Sequence, residues 1–245
     1  MDADPSHATK STVEEIRARF DADVERFSNL ETGQSATIDS PLALDLIAEA
    51  AALSTPRATR LLDVGCGAGN YSLKLLERLP NLAVTLVDLS APMLQRAESR
   101  LRAAGCRDVT TIQSDVRGLT FSPGAFDLIT AASVLHHLRG DDDWTTVFMR
   151  FGDALAPGGS IWIFDLLETV DPALRALFQR RYGDYLTQLG GAAYRDKVFA
   201  YIEREDTPRS LIEQLDLLRT CVGVARPEVL HKNGPFAAFG GTKRA

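Results

Sequence analysis

The stretch Asp63-Val64-Gly65-Cys66-Gly67-Ala68-Gly69-Asn70 decides the fold of this chain. It follows a short apolar run, opens a helix-like run, and carries three glycines within five residues. Because glycine has no side chain, it permits positive φ and lets a ligand approach the backbone closely. A turn of this kind between a strand and a helix presents backbone N–H groups and the positive end of the helix dipole to a ligand. The stretch therefore predicts a nucleotide-like cofactor site at the end of the first strand of an α/β sheet.

The glycine spacing and the acid before it narrow the choice of ligand. The dinucleotide-binding pattern is G-x-G-x-x-G, whereas here the third glycine comes one residue earlier, as Gly65-x-Gly67-x-Gly69. Asp63 lies two residues before the first glycine, where its carboxylate repels a pyrophosphate and attracts an amino group and a sulfonium. A nicotinamide dehydrogenase is therefore disfavoured. Cys66, inside the turn, is small enough to fit there and is given no redox role.

Length and composition limit the class of protein. The 245 residues, 45% of them hydrophobic, are enough for one large core and a small appended lobe. The net charge of −6 argues against binding nucleic acid by charge over the whole surface. Three cysteines without a C-x-x-C pair fit a reduced, cytoplasmic protein. The polar first ten residues predict no signal peptide, and no apolar stretch approaches the ~20 residues of a membrane span.

Strand-like and helix-like runs alternate from residue 60 onward. Near-continuous apolar strands separated by helices indicate a parallel sheet covered on both faces. Pro157-Gly158-Gly159 predicts a turn that ends a helix and begins a strand. Asn233-Gly234 lies between strand-like runs at 225–231 and 236–241 and predicts a β-hairpin. The predicted strands are 61–64, 84–87, 109–112, 128–130 and 161–164, and the predicted helices lie at about 70–79, 91–104 and 141–156.

The chain divides into three predicted regions. Residues 1–11 form a disordered tail, residues 12–56 form N-terminal helices that act as a lid, and residues 57–245 form the cofactor-binding domain with a helical insertion at about 171–220. Within the lid, residues 34–39 are expected to reach the cleft. Capping patterns predict a helix from about residue 12 to 27 and another from Ser40-Pro41, and in the insertion they predict helix starts at Asp171-Pro172 and Thr207-Pro208 with a break at Gly190-Gly191.

An acid followed by G-x-G-x-G resembles the first motif of the class I S-adenosylmethionine (SAM)-dependent methyltransferases. The resemblance covers about residues 60–166 in five ordered motifs. It implies a Rossmann-like α/β fold: a seven-stranded, mostly parallel sheet with helices on both faces, a C-terminal antiparallel hairpin and a small helical insertion. It also implies an enzyme that takes a methyl group from SAM and leaves S-adenosyl-L-homocysteine as product.

The strand ends supply the remaining candidate cofactor residues. Asp88 ends the second strand about 20 residues after the glycine turn, the distance at which an acid meets ribose hydroxyls; its alternative role is as the cap of the next helix. The resemblance implies that Met93 packs on the adenine and that Asp115 accepts from the adenine amine, with the Val116 N–H on a ring nitrogen. Asp115 could instead only form a turn. The full predicted set is Asp63, Gly65, Cys66, Gly67, Gly69, Asp88, Leu89, Met93, Asp115, Val116, Ala131 and Ala132, the two alanines leaving room for the methionine part.

The pair His136-His137 follows the fourth strand and supplies the candidate catalytic residues. One imidazole could act as a general base near the methyl group, or the pair could only make hydrogen bonds at a helix end. A metal is not predicted, because neighbours in sequence rarely share an ion and the sequence shows no third ligand.

Three functional hypotheses stay open. The first is methyl transfer to a small molecule, or less favourably to RNA. The second is a transferase similar to the bacterial carboxy-SAM synthases, in which Arg181, Arg195 or Arg204 would hold a carboxyl group. The third is a non-catalytic SAM-binding protein. Aromatic residues of the insertion, among them Phe178, Tyr182 and Phe199, either form that lobe's own core or line a substrate pocket. The sequence does not identify the methyl acceptor. No membrane partner is expected, and the sequence is compatible with a homodimer.

Overall fold

The fold is one seven-stranded sheet with helices on both faces. The computed structural model describes residues 10–29 and 35–245, so most of the predicted disordered tail and Gln34 of the predicted lid lie outside the described residues. The strands are β1 Arg60–Val64, β2 Ala83–Asp88, β3 Val109–Gln113, β4 Phe126–Ala132, β5 Leu155–Leu166, β6 Glu228–Asn233 and β7 Phe236–Thr242. The helices are α1 Val13–Ala22, α2 Val24–Ser28, α3 Ser40–Ser54, α4 Asn70–Arg78, α5 Ala91–Ala103, α6 Asp141–Ala154, α7 Pro172–Glu205 and α8 Leu211–Leu217.

The sheet order is β3-β2-β1-β4-β5-β7-β6. Strands β1 to β5 pair in parallel, and β7 pairs antiparallel with both β5 and β6. The carboxyl ends of the five parallel strands therefore lie along one edge of the sheet. The strand order reverses between β1 and β4, and ligands of open α/β sheets bind in the crevice at such a switch point. The predicted fold class is confirmed, including the antiparallel hairpin.

The central strands are buried on both faces. In β1, Leu61 packs into the core shared with α3, α4 and α5, whereas Leu62 packs into the opposite core with α6. Successive side chains of a strand point to opposite faces, so adjacent leucines fill the two cores. This is why the strands read as continuous apolar runs.

Element boundaries differ from the prediction at three points. The first predicted helix is interrupted at Asp23 (φ −109°, ψ 13°), which separates α1 from α2. Residues 157–159 do not form a separate turn, because β5 already begins at Leu155. Thr207 does not start a helix, because its N–H and hydroxyl bond the carbonyls of His136 and Leu138. Helix α8 starts instead with Ser210 as N-cap, and Glu213 completes a capping box.

The insertion is a helical hairpin. Helix α7 is broken at Gly191 (φ 83°, ψ 175°), a conformation that strongly favours glycine, and the predicted break is found there. Tyr182 on the first half contacts Phe199 on the second, with ring centroids 5.7 Å apart, and Phe236 of β7 at 5.5 Å.

Within the described ranges, no helix is both long and apolar enough to cross a membrane.

Candidate functional site

A cavity opens at the carboxyl ends of β1 to β4. Its larger lobe has a volume of about 260 Å³ and its smaller lobe about 90 Å³. Eleven of the fourteen predicted site residues line it, and five residues are common to both lobes: Gly65, Asp88, Leu89, Val134 and His137. The predicted residues brought together here are Asp63, Gly65, Cys66, Gly67, Asp88, Leu89, Met93, Asp115, Val116, Ala132 and His137.

The glycine turn forms the floor of the smaller lobe. Gly65, Gly67 and Gly69 have φ of 64°, 50° and 82°. A Cβ on Gly65 would lie 2.5 Å from Val134, and one on Gly69 would lie 2.9 Å from Leu101. A Cβ on Gly67 would meet no described atom within 4 Å, so this backbone is open to a ligand. Gly69 itself does not line the cavity, because it is the N-cap of α4 and packs against α5.

Asp88 joins the end of β2 to the glycine turn. Its Oδ2 accepts the Gly67 N–H at 2.9 Å and its Oδ1 accepts the Ser90 N–H at 2.9 Å. Burial raises the pKa of Asp88 against these backbone hydrogen bonds. A carboxylate has about four acceptor positions, so the side chain keeps capacity for ligand hydroxyls.

Asp63 is buried beneath the turn. Its carboxylate accepts hydrogen bonds from the Ser72 hydroxyl at 2.6 Å and the Thr130 hydroxyl at 2.9 Å. Burial raises the pKa of Asp63 to about 6, although the two hydroxyls oppose the shift. No described cation neutralises this carboxylate by a salt bridge, which leaves a negative group facing the smaller lobe.

Asp115 faces the larger lobe but is paired with Arg117. The Arg117 side chain donates to both carboxylate oxygens, at 2.9 and 2.6 Å, and its backbone N–H donates at 2.8 Å. Burial raises the pKa of Asp115, but the hydrogen bonds of Arg117 outweigh it and the pKa lies below its ordinary value. Three bonds leave about one acceptor position for a ligand. The sequence reasoning missed Arg117.

The end of β4 separates the two predicted alanines. Ala132 lines the smaller lobe, whereas Ala131 is fully buried in the opposite core, as strand alternation requires. Ser133 follows with a φ of 54°, and its N–H bonds the Phe164 carbonyl at 2.7 Å. A positive φ is uncommon for a residue other than glycine, and this one turns the chain over the cavity.

A buried hydroxyl in the smaller lobe has no partner. Tyr71 of α4 lines the lobe, and its hydroxyl makes no hydrogen bond to any described residue. Burial raises the pKa of Tyr71, so the group stays a donor. Burial likewise raises the pKa of the Cys66 thiol, which therefore stays protonated. The lobe therefore contains an unpaired hydroxyl donor, which suits a negative ligand group, and the carboxylate of Asp63, which suits a positive one.

His136 and His137 lie in a 3₁₀ turn between two buried carboxylates. Asp165, at the end of β5, accepts the backbone N–H of His136 at 3.1 Å and also contacts its Nδ1. Asp206, just after α7, places its Oδ1 3.8 Å from Nε2 of His136 and 3.2 Å from Nδ1 of His137. Only His137 lines the cavity; His136 is held behind it. Asp206 was not predicted, because no local motif links it to a turn 69 residues earlier.

The two imidazoles differ in protonation. Burial lowers the pKa of His136, but the carboxylates of Asp165 and Asp206 raise it by more than burial lowers it, and the pKa lies at about 9. Burial and the neighbouring His136 hold the pKa of His137 below its ordinary value. Nitrogen and oxygen donors of His136, His137 and Asp206 all lie within 4.8 Å of one another, but the positive charge of Arg19 faces the same group and opposes a cation. We treat the group as a hydrogen-bonding cluster, and the expectation of no metal stays a prediction.

The N-terminal segment covers the cavity. Ile16 and Phe20 of α1 and Phe27 of α2 line its lobes. The Lys10 ammonium donates to the Asp206 carbonyl at 2.8 Å, and Arg19 donates to the Tyr201 hydroxyl at 2.6 Å and pairs with Glu205. The segment is thereby tied to the end of α7.

A second cavity, of about 450 Å³, lies between β5 and α7. Phe178, Tyr182 and Phe199 line it, while Tyr182 also belongs to the main core. Arg139 lines both this cavity and the larger lobe. Arg181, Arg195 and Arg204 line none of the cavities described above.

Comparisons with known proteins agree with this geometry. Residues 61–159 match the family model of the methyltransferase domain. An uncharacterised methyltransferase of Mycobacterium tuberculosis is 34% identical over 115 residues, 47% of this chain and 53% of that protein. A ubiquinone/menaquinone biosynthesis C-methyltransferase of Syntrophotalea carbinolica is 29% identical over 199 residues, 78% of this chain and 81% of that protein. The solved structure of the mitomycin 7-O-methyltransferase MmcR has a TM-score of 0.63 at 21% identity, over 96% of this chain and 61% of that one.

These matches confirm the resemblance to the class I SAM-dependent methyltransferases that the motifs predicted. The chain spans about half the length, 53%, of the first curated relatives it matches.

Proposed function

We propose that this chain, on the premise that residues 61–159 form a methyltransferase domain, transfers a methyl group from SAM to a small-molecule acceptor. The observation that carries the proposal is the cavity at the switch point of the sheet. Its floor is the open backbone of Gly67, and three acids, Asp63, Asp88 and Asp115, converge on it from the ends of three strands. One site thus offers acceptors for cationic, hydroxyl and amine groups.

The side chains present fit the parts of SAM. Asp88 keeps acceptor capacity for ribose hydroxyls, and the apolar Leu89 and Met93 offer a surface for the adenine. Val116 and the remaining acceptor position of Asp115 suit the adenine edge. Asp63 would attract the amino group and the sulfonium, and the orphaned Tyr71 hydroxyl would donate to the carboxylate. These roles are part of the proposal.

The residues act mainly by positioning. When bound, SAM supplies a methyl group already activated by the sulfonium. The glycine turn and the three acids hold the ligand in one orientation, and orientation of this kind contributes ~7–11 kcal/mol to a reaction. Phe20 and Phe27 exclude water from the smaller lobe, which both of them line. His137 lines both lobes and is the proposed catalytic base; His136 is buried behind it.

A small acceptor suits the molecule better than RNA does. Helices α1 and α2 cover part of the cavity, which favours a small acceptor over a large one, and the net charge of −6 opposes a polyanion. The relative named as a quinone C-methyltransferase also favours a small acceptor. The carboxy-SAM alternative has weaker support, because Arg181, Arg195 and Arg204 lie away from the cavities described.

The test combines binding and turnover. Calorimetry with SAM is expected to give an affinity that Asp88→Ala weakens at least tenfold, since that carboxylate is the predicted ribose acceptor. Asp108→Ala, which removes an exposed aspartate at the start of β3, is the matched control and keeps the wild-type affinity. Unchanged SAM affinity in Asp88→Ala would contradict the assigned site.

Turnover separates the enzyme from a non-catalytic SAM-binding protein. Labelled SAM incubated with a panel of small aromatic acceptors is expected to yield a labelled methylated product and S-adenosylhomocysteine. Mass spectrometry of the co-purifying ligand distinguishes the carboxy-SAM alternative, because an added carboxyl group raises the ligand mass. Tight SAM binding without transfer to any acceptor would favour the non-catalytic protein.

A further inference from the structure

The buried cluster at the cavity wall consists of His136, His137, Asp165 and Asp206, and its carboxylates contact the two histidines differently. His136 is fixed between Asp165 and Asp206, whereas Asp206 is the one described carboxylate within 4 Å of His137, with Oδ1 3.2 Å from its Nδ1. Asp165 and Asp206 are 0% and 5% exposed, so both carboxylates act in a region of low dielectric. The two histidines are therefore not equivalent, although they are adjacent in sequence.

Three buried polar atoms of this cluster lack hydrogen bonds. Nδ1 and Nε2 of His137 and Oδ1 of Asp206 have no hydrogen-bond partner among the described residues. The short distance between Nδ1 and Oδ1 shows that a small rotation of the ring would join them. That rotation would leave Nε2 as a lone-pair acceptor, the form a general base requires. A buried acceptor without a partner is unfavourable, so a ligand group that donates a proton fits this position.

We propose that Asp206 is a positioning residue that holds His137 as the general base for an acceptor whose reacting group is a phenol-type hydroxyl. The proposal rests on the proposed methyl transfer and deepens it, because it names the acceptor class. The aromatic wall favours a flat ring: Phe20 meets His137 edge-on, with ring centroids 6.0 Å apart and planes at 76°. Thiols and tertiary amines do not need this base, because a thiol ionises readily in water and a tertiary amine has no proton to lose.

The chemical step balances with the residues present. The acceptor O–H bond breaks and its proton passes to Nε2 of His137. The oxygen electron pair forms the new bond to the methyl carbon, while the electrons of the breaking carbon–sulfur bond return to sulfur. His137 becomes an imidazolium beside the Asp206 carboxylate and later releases the proton to solvent.

The charges around His137 determine the effect of removing Asp206. His136 and Arg19 of α1 both disfavour a proton on His137, whereas Asp206 favours it. Asp115 faces the ring from across the cavity, Lys10 approaches the Asp206 backbone, and Asp165 acts through His136. In Asp206→Asn the two positive groups remain and the balancing charge is lost. The pKa of His137 therefore falls further, and the product imidazolium loses its partner.

The first test does not depend on the acceptor. The protein with bound S-adenosylhomocysteine is titrated by NMR of its histidine side chains, and His231→Gln identifies the resonance of a histidine distant from the cavity, paired with Asp39 at 2.9 Å. His137 is expected to be neutral at pH 7 with its proton on Nδ1, and Asp206→Asn is expected to lower its titration midpoint. A midpoint unchanged by Asp206→Asn, or a His137 charged at pH 7, would overturn the proposal.

The second test uses a matched pair of acceptors, 2-naphthol and 2-naphthalenethiol, at pH 8. His137→Gln is expected to slow methylation of the naphthol by about 100-fold or more, while the thiol, which ionises without help, loses less than fivefold. Equal losses for both acceptors, or methylation of the thiol alone, would overturn the proposal. Loss of activity on dialysis against EDTA with recovery on adding a divalent cation would also overturn it in favour of a metal site.

Variants of Asp206 separate positioning from folding. Asp206→Asn removes the charge and is expected to move the acidic limb of the pH profile of naphthol methylation to lower pH and to reduce the maximal rate at least tenfold. Asp206→Glu keeps the charge and is expected to give a pH profile close to that of the wild type. Both variants are expected to bind S-adenosylhomocysteine as the wild type does. If the wild type itself fails to bind SAM, the proposed function fails; if it binds SAM and the limb does not move, only the role of Asp206 fails.

Discussion

At the scale of single residues, Asp63 is an aspartate whose burial disfavours its ionised form. Asp63 is 1% exposed and accepts hydrogen bonds from the hydroxyls of Ser72 and Thr130. Its pKa of about 6 means that the folded protein binds this proton more tightly than the unfolded chain does. Between about pH 4 and 6 the free energy of unfolding therefore falls as the pH rises. At pH 7 the ionised Asp63 costs about 3 kcal/mol of stability until a cation neutralises it.

We therefore predict opposite effects of Asp63→Asn on stability and on binding. The neutral amide keeps the shape of the side chain and removes the buried charge, so the Tm of the ligand-free protein at pH 7 is expected to stay the same or rise. SAM affinity is expected to fall at least tenfold, because the amide no longer attracts the amino group and the sulfonium. Thermal denaturation and calorimetry measure the two quantities. A variant that binds SAM like the wild type would show that Asp63 serves only the fold.

At the scale of elements, α1 acts through the side chain of Arg19. Its guanidinium lies 4.2 Å from the Tyr201 ring centroid and 4.6 Å from that of Phe20, and it also pairs with Glu205. These contacts join the helix that covers the cavity to the end of α7, where Asp206 lies. A segment that covers a cofactor must separate from the core to exchange it, so these contacts should set how long the site stays closed.

Arg19→Gln is accordingly predicted to loosen the cover. Hydrogen exchange of residues 12–22 in the complex with S-adenosylhomocysteine is expected to rise, and the ligand is expected to dissociate at least fivefold faster in stopped-flow measurements. Arg17→Gln changes an exposed arginine on the same helix and is the control. Absence of any protection of α1 by the ligand would argue that the segment is not a lid.

At the scale of the whole molecule, the stability should depend on alkaline pH through His136. Its folded pKa of about 9 lies above its ordinary value, because the buried Asp165 and Asp206 hold the proton. The folded protein therefore binds more protons than the unfolded chain between about pH 6.5 and 9. Stability from this source is complete below pH 6.5 and disappears as the pH rises through 9, where two buried carboxylates would lose their shared partner.

The predicted result is a Tm that falls as the pH rises from 6.5 to 9.5. In His136→Gln this alkaline decline is expected to be reduced and the Tm at pH 7 to be lower, since the amide carries no charge to balance the two acids. A series of thermal melts at constant ionic strength measures both effects. An equal alkaline decline in the variant and the wild type would assign it to other groups.

Much of the fold followed from local sequence. Continuous apolar runs and glycine turns predicted the five parallel strands, Asn233-Gly234 predicted the hairpin of β6 and β7, and Gly190-Gly191 predicted the break in α7. Such features depend on backbone preference and on burial of both sheet faces, which neighbouring residues encode. The acids at the strand ends could be predicted for the same reason, because parallel strands bring their carboxyl ends to one edge.

The tertiary structure alone decided which groups pair with those acids. The pairing of Asp115 with Arg117 depends on a rotamer that the spacing does not fix, and strand alternation turned Ala131 away from the cavity although Ala132 lines it. Asp206 lies beside the histidines, although 69 residues separate it from His137, because the next residue, Thr207, donates hydrogen bonds to the carbonyls of His136 and Leu138. Periodicity and turn chemistry act over a few residues, whereas contacts between distant segments arise only when the packed core fixes their relative positions.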